Sequence, residues 1–110
     1  MTKSVPDALE EMANLYRERS KIYGDNYKRF GAIMVLLFPN GLILKTKEDH
    51  NRFGIFVQII SKITRYAEQF EKGGHPDSLD DNSVYSQMLQ EIDAEARHDA
   101  AVLQEIRDSR

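Results

Sequence analysis

Three motifs of the form Ser/Thr-x-x-Asp, at Ser4–Asp7, Thr46–Asp49 and Ser78–Asp81, stand at the head of stretches whose apolar residues recur every three or four positions. In such a capping box a hydroxyl accepts from the backbone N–H three residues on, and the acid answers back. Together they satisfy amides that a helix leaves orphaned at its start. The motifs and the helical period agree, so the chain reads as all-α.

The first helix is expected over 6–23. Pro6 is tolerated in a first turn, Leu9, Met12, Tyr16 and Tyr23 share a side, and Gly24 stops it. Asp25 and Asn26 can cap a second helix from Tyr27 to about Phe38, which is apolar on every side from Ala32 onward and so predicts burial. Phe38-Pro39-Asn40-Gly41 is a turn, because Pro39 presets φ and Asn40-Gly41 tolerates the left-handed region. Leu42-Ile43-Leu44 stays open between an extended connector and the rim of a core.

The third helix is expected from the Thr46 box to Gly73-Gly74. Phe53, Phe56, Ile60, Ile63, Ala67 and Phe70 lie on one face, and Ile55, Ile59 and Tyr66 widen it. That arc covers roughly half the circumference, more than the ~100° stripe of a surface helix, which implies a central helix with a second interface. The fourth runs from the Ser78 box to the end of the chain, with Tyr85, Leu89, Ile92, Ala96, Leu103 and Ile106 in register. At about 1.5 Å per residue it reaches roughly 45 Å, against about 27 Å and 18 Å for the first two. Its last turns outrun the bundle, so Leu103 and Ile106 either dock on another subunit or fray, and apolar residues in heptad-like register flanked by charges favour the subunit. The reading is one domain over 1–110, a four-helix-type bundle with its core at about 6–95, an extended helix at 96–110, and a homo-oligomeric assembly.

Composition narrows the function classes. Hydrophobic residues make up 41% and charged residues 30%, a globular balance. With 15 Lys+Arg against 18 Asp+Glu the net charge is -3, and no helix carries a concentrated basic stripe, which weighs against nucleic acid as a partner. The chain has no cysteine, which removes thiolate metal sites and cysteine nucleophiles. The first residues lack an apolar signal region, and the longest apolar run, Ala32 to Phe38, is far too short for a bilayer. The expected setting is cytoplasmic, without membrane contact.

Candidate chemistry gathers at a few places. His98 reads as solvated and His50 as structural, whereas His75 lies in the tight loop Gly73-Gly74-His75-Pro76-Asp77 that feeds the last helix. Asp77, Asp80 and Asp81 follow within that helix start. They suit its dipole, and as oxygen ligands they suit Mg²⁺. Asp81 shares a side with Tyr85 and Met88 and is expected to point along the core, with Asp80 pointing away. Glu68 and Glu71 form an ExxE pair, a second candidate metal-binding group. Lys62 and Arg65 are i, i+3 neighbours expected on the side opposite Phe56 and Ile60. With Lys21, and with Lys28-Arg29 beyond Tyr23-Gly24-Asp25, they could face phosphate. Ordinary solvated faces explain each of these bases singly.

Lys21-x-Tyr23-Gly24-Asp25, Lys62-x-x-Arg65-Tyr66 and Gly74-His75-x-Asp77-Ser78-x-x-Asp81-x-x-x-Tyr85 together resemble small all-helical phage and prophage domains associated with nucleotide modification. More distantly, the chain is similar to MazG-like nucleotide pyrophosphohydrolases. The resemblance spans residues 17–93. It implies an oligomeric nucleotide-handling bundle in a phage-infected bacterium, with acids from two helices around Mg²⁺ and bases reaching phosphates. By that resemblance Asp77 and Asp81 are the catalytic acids. Glu68 and Glu71 join them as metal ligands, while Lys21, Tyr23, Asp25, Lys62, Arg65, His75 and Tyr85 contact substrate. The MazG pattern pairs ExxE with ExxD on the next helix. Here the next helix offers Asp77, Asp81 and Glu91 without an ExxD. Three readings stand: a Mg-dependent (pyro)phosphohydrolase, an oligomer that binds or sequesters a nucleotide without turnover, and a structural or host-interaction helical protein.

Overall fold

A computed structural model of the chain describes residues 2–23 and 26–109, with side chains for all of these but Ile22, Tyr23 and Asn26. Among the described residues the order is α1 (Val5–Tyr23), α2 (Asn26–Leu37), α3 (Lys47–Glu68), a 3₁₀ turn (Phe70–Lys72) and α4 (Pro76–Asp108), without a strand. No described helix is long and apolar enough to cross a membrane.

Local chemistry accounts for most of these boundaries. Asp7 N–H donates to Ser4 Oγ at 3.3 Å at the head of α1. At α3 the capping box is complete: Asp49 N–H donates to Thr46 Oγ1 at 3.0 Å, and Thr46 N–H donates to Asp49 Oδ2 at 3.2 Å. Gly41 closes the turn after α2 with φ 78°, its N–H donating to the Phe38 carbonyl at 2.9 Å. Leu42 to Leu44 form neither helix nor strand.

Two boundaries differ from expectation. The α4 helix starts at Pro76, so Ser78 lies inside it and does not cap it. A residue before proline is pushed to extended backbone, and proline favours the first helical position. His75 obeys with φ -142° and ψ 93°, and the helix begins at once. The α3 helix ends at Glu68, short of Gly73-Gly74. The chain tightens into the 3₁₀ turn before the two glycines adopt φ 99° and 94°.

The packed heart of the chain is the α3–α4 pair, with α2 against α3 and α1 only lightly attached. Among the described residues only Ile60, Thr64 and Ser78 are buried. The α2 burial expected from Ala32 onward does not occur, since Val35 is 67% and Leu36 81% exposed. A helix that meets a neighbour along one side leaves the rest of its apolar surface open. Likewise the inward side of α3 runs from Ile60 to Thr64, leaving Ile63, Ala67 and Phe70 exposed. Residues 97–109, the last turns of α4 and its cap, are exposed throughout. The radius of gyration is 19.7 Å, against about 13 Å for a compact chain of this length. One chain by itself is therefore extended, and its four helices do not close on a common core.

Candidate functional site

The polar end of the α3–α4 pair is built from the turn that joins the two helices. Gly74 needs its positive φ, and a Cβ there would stand 3.0 Å from Tyr66 Cε2, so the chain presses directly against that ring. Tyr66 in turn meets Phe70 edge-on at 6.2 Å between centroids. His75 Nδ1 lies 2.5 Å from Ser78 Oγ, a hydrogen bond whose donor depends on the tautomer, and Ser78 is only 1% exposed. The hydroxyl read as a cap in the sequence is thus a buried brace.

One turn further along α4, Asp81 Oδ2 accepts from Lys62 Nζ at 2.9 Å. The lysine side chain is 15% exposed, so it does not project into solvent away from the core as the helical period suggested. A lysine can bury its stem and still bring its ammonium to an acid. Arg65 and Tyr85 are both half-buried. Asp81 is half-buried and Asp80 exposed, as their positions on the helix imply. Asn82, which the sequence reading passed over, donates from Nδ2 to the Ile59 carbonyl at 3.3 Å and ties α4 to α3 beside this pair.

A second ion pair joins Arg29, in the first turn of α2, to Glu68 at the end of α3. The first turn of α2 is therefore tied to the end of α3. Lys62 and Glu68 stand about 9 Å apart along the helix axis. Lys21 pairs with Glu18 on its own helix at 3.1 Å and is exposed. Gly24 and Asp25, and the side chain of Tyr23, lie outside the described residues.

The described acids do not gather as a metal set. No three His, Asp or Glu side chains come together to hold an ion among the described residues. Asp81 faces Lys62 and Glu68 faces Arg29, while Asp77 and Glu71 are exposed. Glu68 and Glu71 also fail to share one α-helical face, because Glu71 sits in the 3₁₀ turn. The side chains described within one chain therefore do not fit Mg²⁺ as placed.

A groove of about 330 Å³ lies at the opposite end of the helix pair, and no local motif signalled it. Phe38, Phe53, Phe56 and Leu89 line it, with Arg52 and Asp93 at its polar edge. Arg52 Nε donates to Asp93 Oδ1 at 2.7 Å, while Nη1 stands 3.9 Å from Asp49 Oδ1. Backbone N–H groups of Lys45 and Thr46 hold the Asp49 carboxyl below its ordinary range, helped by the Thr46 hydroxyl and Arg52. Compared with known families, characterised proteins and solved structures, the chain matches none.

Proposed function

We propose that this protein handles nucleotides as one subunit of a helical assembly, with Lys62 and Arg65 serving the phosphates. The Lys62–Asp81 contact carries this reading, because it joins the K-x-x-R and D-S-x-x-D segments of the resemblance across two helices. Arg29–Glu68 supports it by tying a base of α2 to the end of α3, about 9 Å along the helix axis from Lys62. A lysine ammonium and an arginine fork one turn apart suit phosphate oxygens. Asp81 holds the ammonium ready, and a bound phosphate takes over as its counter-ion. Assembly completes the bundle that a single chain leaves open. The resemblance points to the cytoplasm of a phage-infected bacterium as the setting.

Calorimetric titration with nucleoside triphosphates, with and without Mg²⁺, tests the reading when combined with product analysis. Saturable binding without product identifies a binding or sequestering protein. Product formation that stops in EDTA and in Asp81→Ala identifies a (pyro)phosphohydrolase.

A structural or host-interaction role is the second reading, favoured by the exposed apolar residues of α2 and of the α4 tail. Under it, Lys62→Ala/Arg65→Ala leaves partner binding and assembly unchanged, and no nucleotide binds.

A further inference from the structure

The groove beside Arg52 combines an apolar interior with a charged rim, and separate segments of the chain build it. Phe38 comes from the turn after α2, Phe53 and Phe56 from α3, and Leu89 from α4. Phe38 and Phe56 meet edge-on with 5.6 Å between centroids. The connector Leu42-Ile43-Leu44, which is neither helix nor strand, lines the groove as well. At about 330 Å³ the space has the size of a small-ligand pocket.

Asp49, Arg52 and Asp93 are the charged residues that line it. Their contacts leave both donors and acceptors unspent. Arg52 Nε donates to Asp93 Oδ1 at 2.7 Å, but neither Nη atom donates a hydrogen bond to any described residue. Asp49 Oδ2 accepts from the backbone N–H groups of Lys45 and Thr46. Asp49 Oδ1 and Asp93 Oδ2 accept no hydrogen bond from the described residues. Arg52 Nη1 stands 3.9 Å from Asp49 Oδ1, which is attraction without a hydrogen bond. The backbone N–H groups that lower the Asp49 carboxyl keep it ionised.

A simple anion at this rim meets two carboxylates, and a simple cation meets the guanidinium. A zwitterion avoids both conflicts. In an α-amino acid the ammonium nitrogen and a carboxylate oxygen lie about 3 Å apart by bond lengths alone. Such a head spans the gap between Nη1 and Asp49 Oδ1, its carboxylate accepting from the guanidinium and its ammonium donating to the acid. An apolar side chain on the same molecule then leaves water among the phenylalanines.

We propose that this groove binds a free apolar α-amino acid, its side chain among Phe38, Phe53 and Phe56 and its charged head between Arg52 and Asp49. Lys62 lies about 15 Å along α3 from Arg52, so the site is separate from the nucleotide reading and does not rest on it.

The test is a titration of the full, nitrogen-15-labelled chain with L-phenylalanine, followed by the backbone amide signals of Leu44, Phe53 and Leu89. L-phenylalaninamide lacks the carboxylate, N-acetyl-L-phenylalanine lacks the ammonium, and L-serine lacks the apolar side chain. The expected result is saturation by phenylalanine, with each one-charge analogue about tenfold weaker through the lost charged hydrogen bond. Serine should not saturate. In Arg52→Gln, with folding checked by circular dichroism, phenylalanine should lose its advantage over the amide. Lys62→Met/Arg65→Met should leave phenylalanine binding unchanged. The analogue series needs only the wild type, so it decides the matter even where the Arg52 variant does not fold. Groove signals that do not move, or any of the three analogues binding as tightly as phenylalanine, overturn the site. Groove signals that shift with protein concentration alone assign the space to a second copy and overturn it too.

Discussion

Lys62 and Asp81 meet across the α3–α4 seam with 2.9 Å between Nζ and Oδ2, yet the lysine side chain is 15% exposed and the acid 47%. The two ends of one ion pair therefore depend on each other unequally. Removing the acid strands a largely buried ammonium, whereas replacing the lysine with an apolar side chain strands only a carboxylate that water reaches. Asp81→Ala should cost about 1–2 kcal/mol, and Lys62→Met less than that. Urea unfolding of both variants checks the order.

Among the described residues Ser78 is the most deeply placed polar side chain, and its hydroxyl is tied to His75. Ser78→Ala should cost about 1 kcal/mol through the lost hydrogen bond. Ser78→Leu should cost more, about 1–3 kcal/mol, because the seam leaves no room for the added volume. Thermal melts of the two variants should separate in that order.

Gly74 combines a φ of 94° with the approach to Tyr66. Gly74→Ala should destabilise by about 1–2 kcal/mol from backbone strain alone. Tyr66→Leu in the same background should recover only the part due to the ring. Denaturation of the single and double variants measures that split.

The Asp49 carboxyl is held below its ordinary range by the backbone N–H groups of Lys45 and Thr46. A depressed folded-state value means the ionised form favours folding. That contribution is complete above the unfolded carboxylate range and fades as pH falls through the lowered value. Asp49→Asn should therefore flatten the acid side of the stability profile below about pH 4. Thr46→Ala should cost about 1 kcal/mol at neutral pH through the lost cap.

What the sequence revealed divides by range. Thr46 and Asp49 were legible as a helix start because a capping box acts over three residues, and Gly41 because a turn acts over four. Ser78 carried the same local signal, but Pro76 outweighed it by forcing His75 to be extended, and the hydroxyl was left for an internal hydrogen bond. Lys62 was misplaced because a helical wheel locates Cβ and a lysine amine sits several bonds beyond it. The contact between Arg52 and Asp93 joins residues 41 positions apart, and no local spacing encodes such a pair. The exposure of Val35 and Leu36 was hidden for a related reason, since hydropathy says that a surface seeks cover and not whether its own chain supplies it.

Nucleotide handling through Lys62, Arg65 and Asp81 is open to a thermal-shift panel of nucleotides with and without Mg²⁺ on the wild type and on Lys62→Met/Arg65→Met. A ligand that binds only the folded state raises the melting temperature by linkage, by about 2.7 kcal/mol of added stability at a hundredfold excess over Kd. The expected result is a rise for at least one nucleotide in the wild type that is lost in the double variant. A flat response across the whole panel contradicts it.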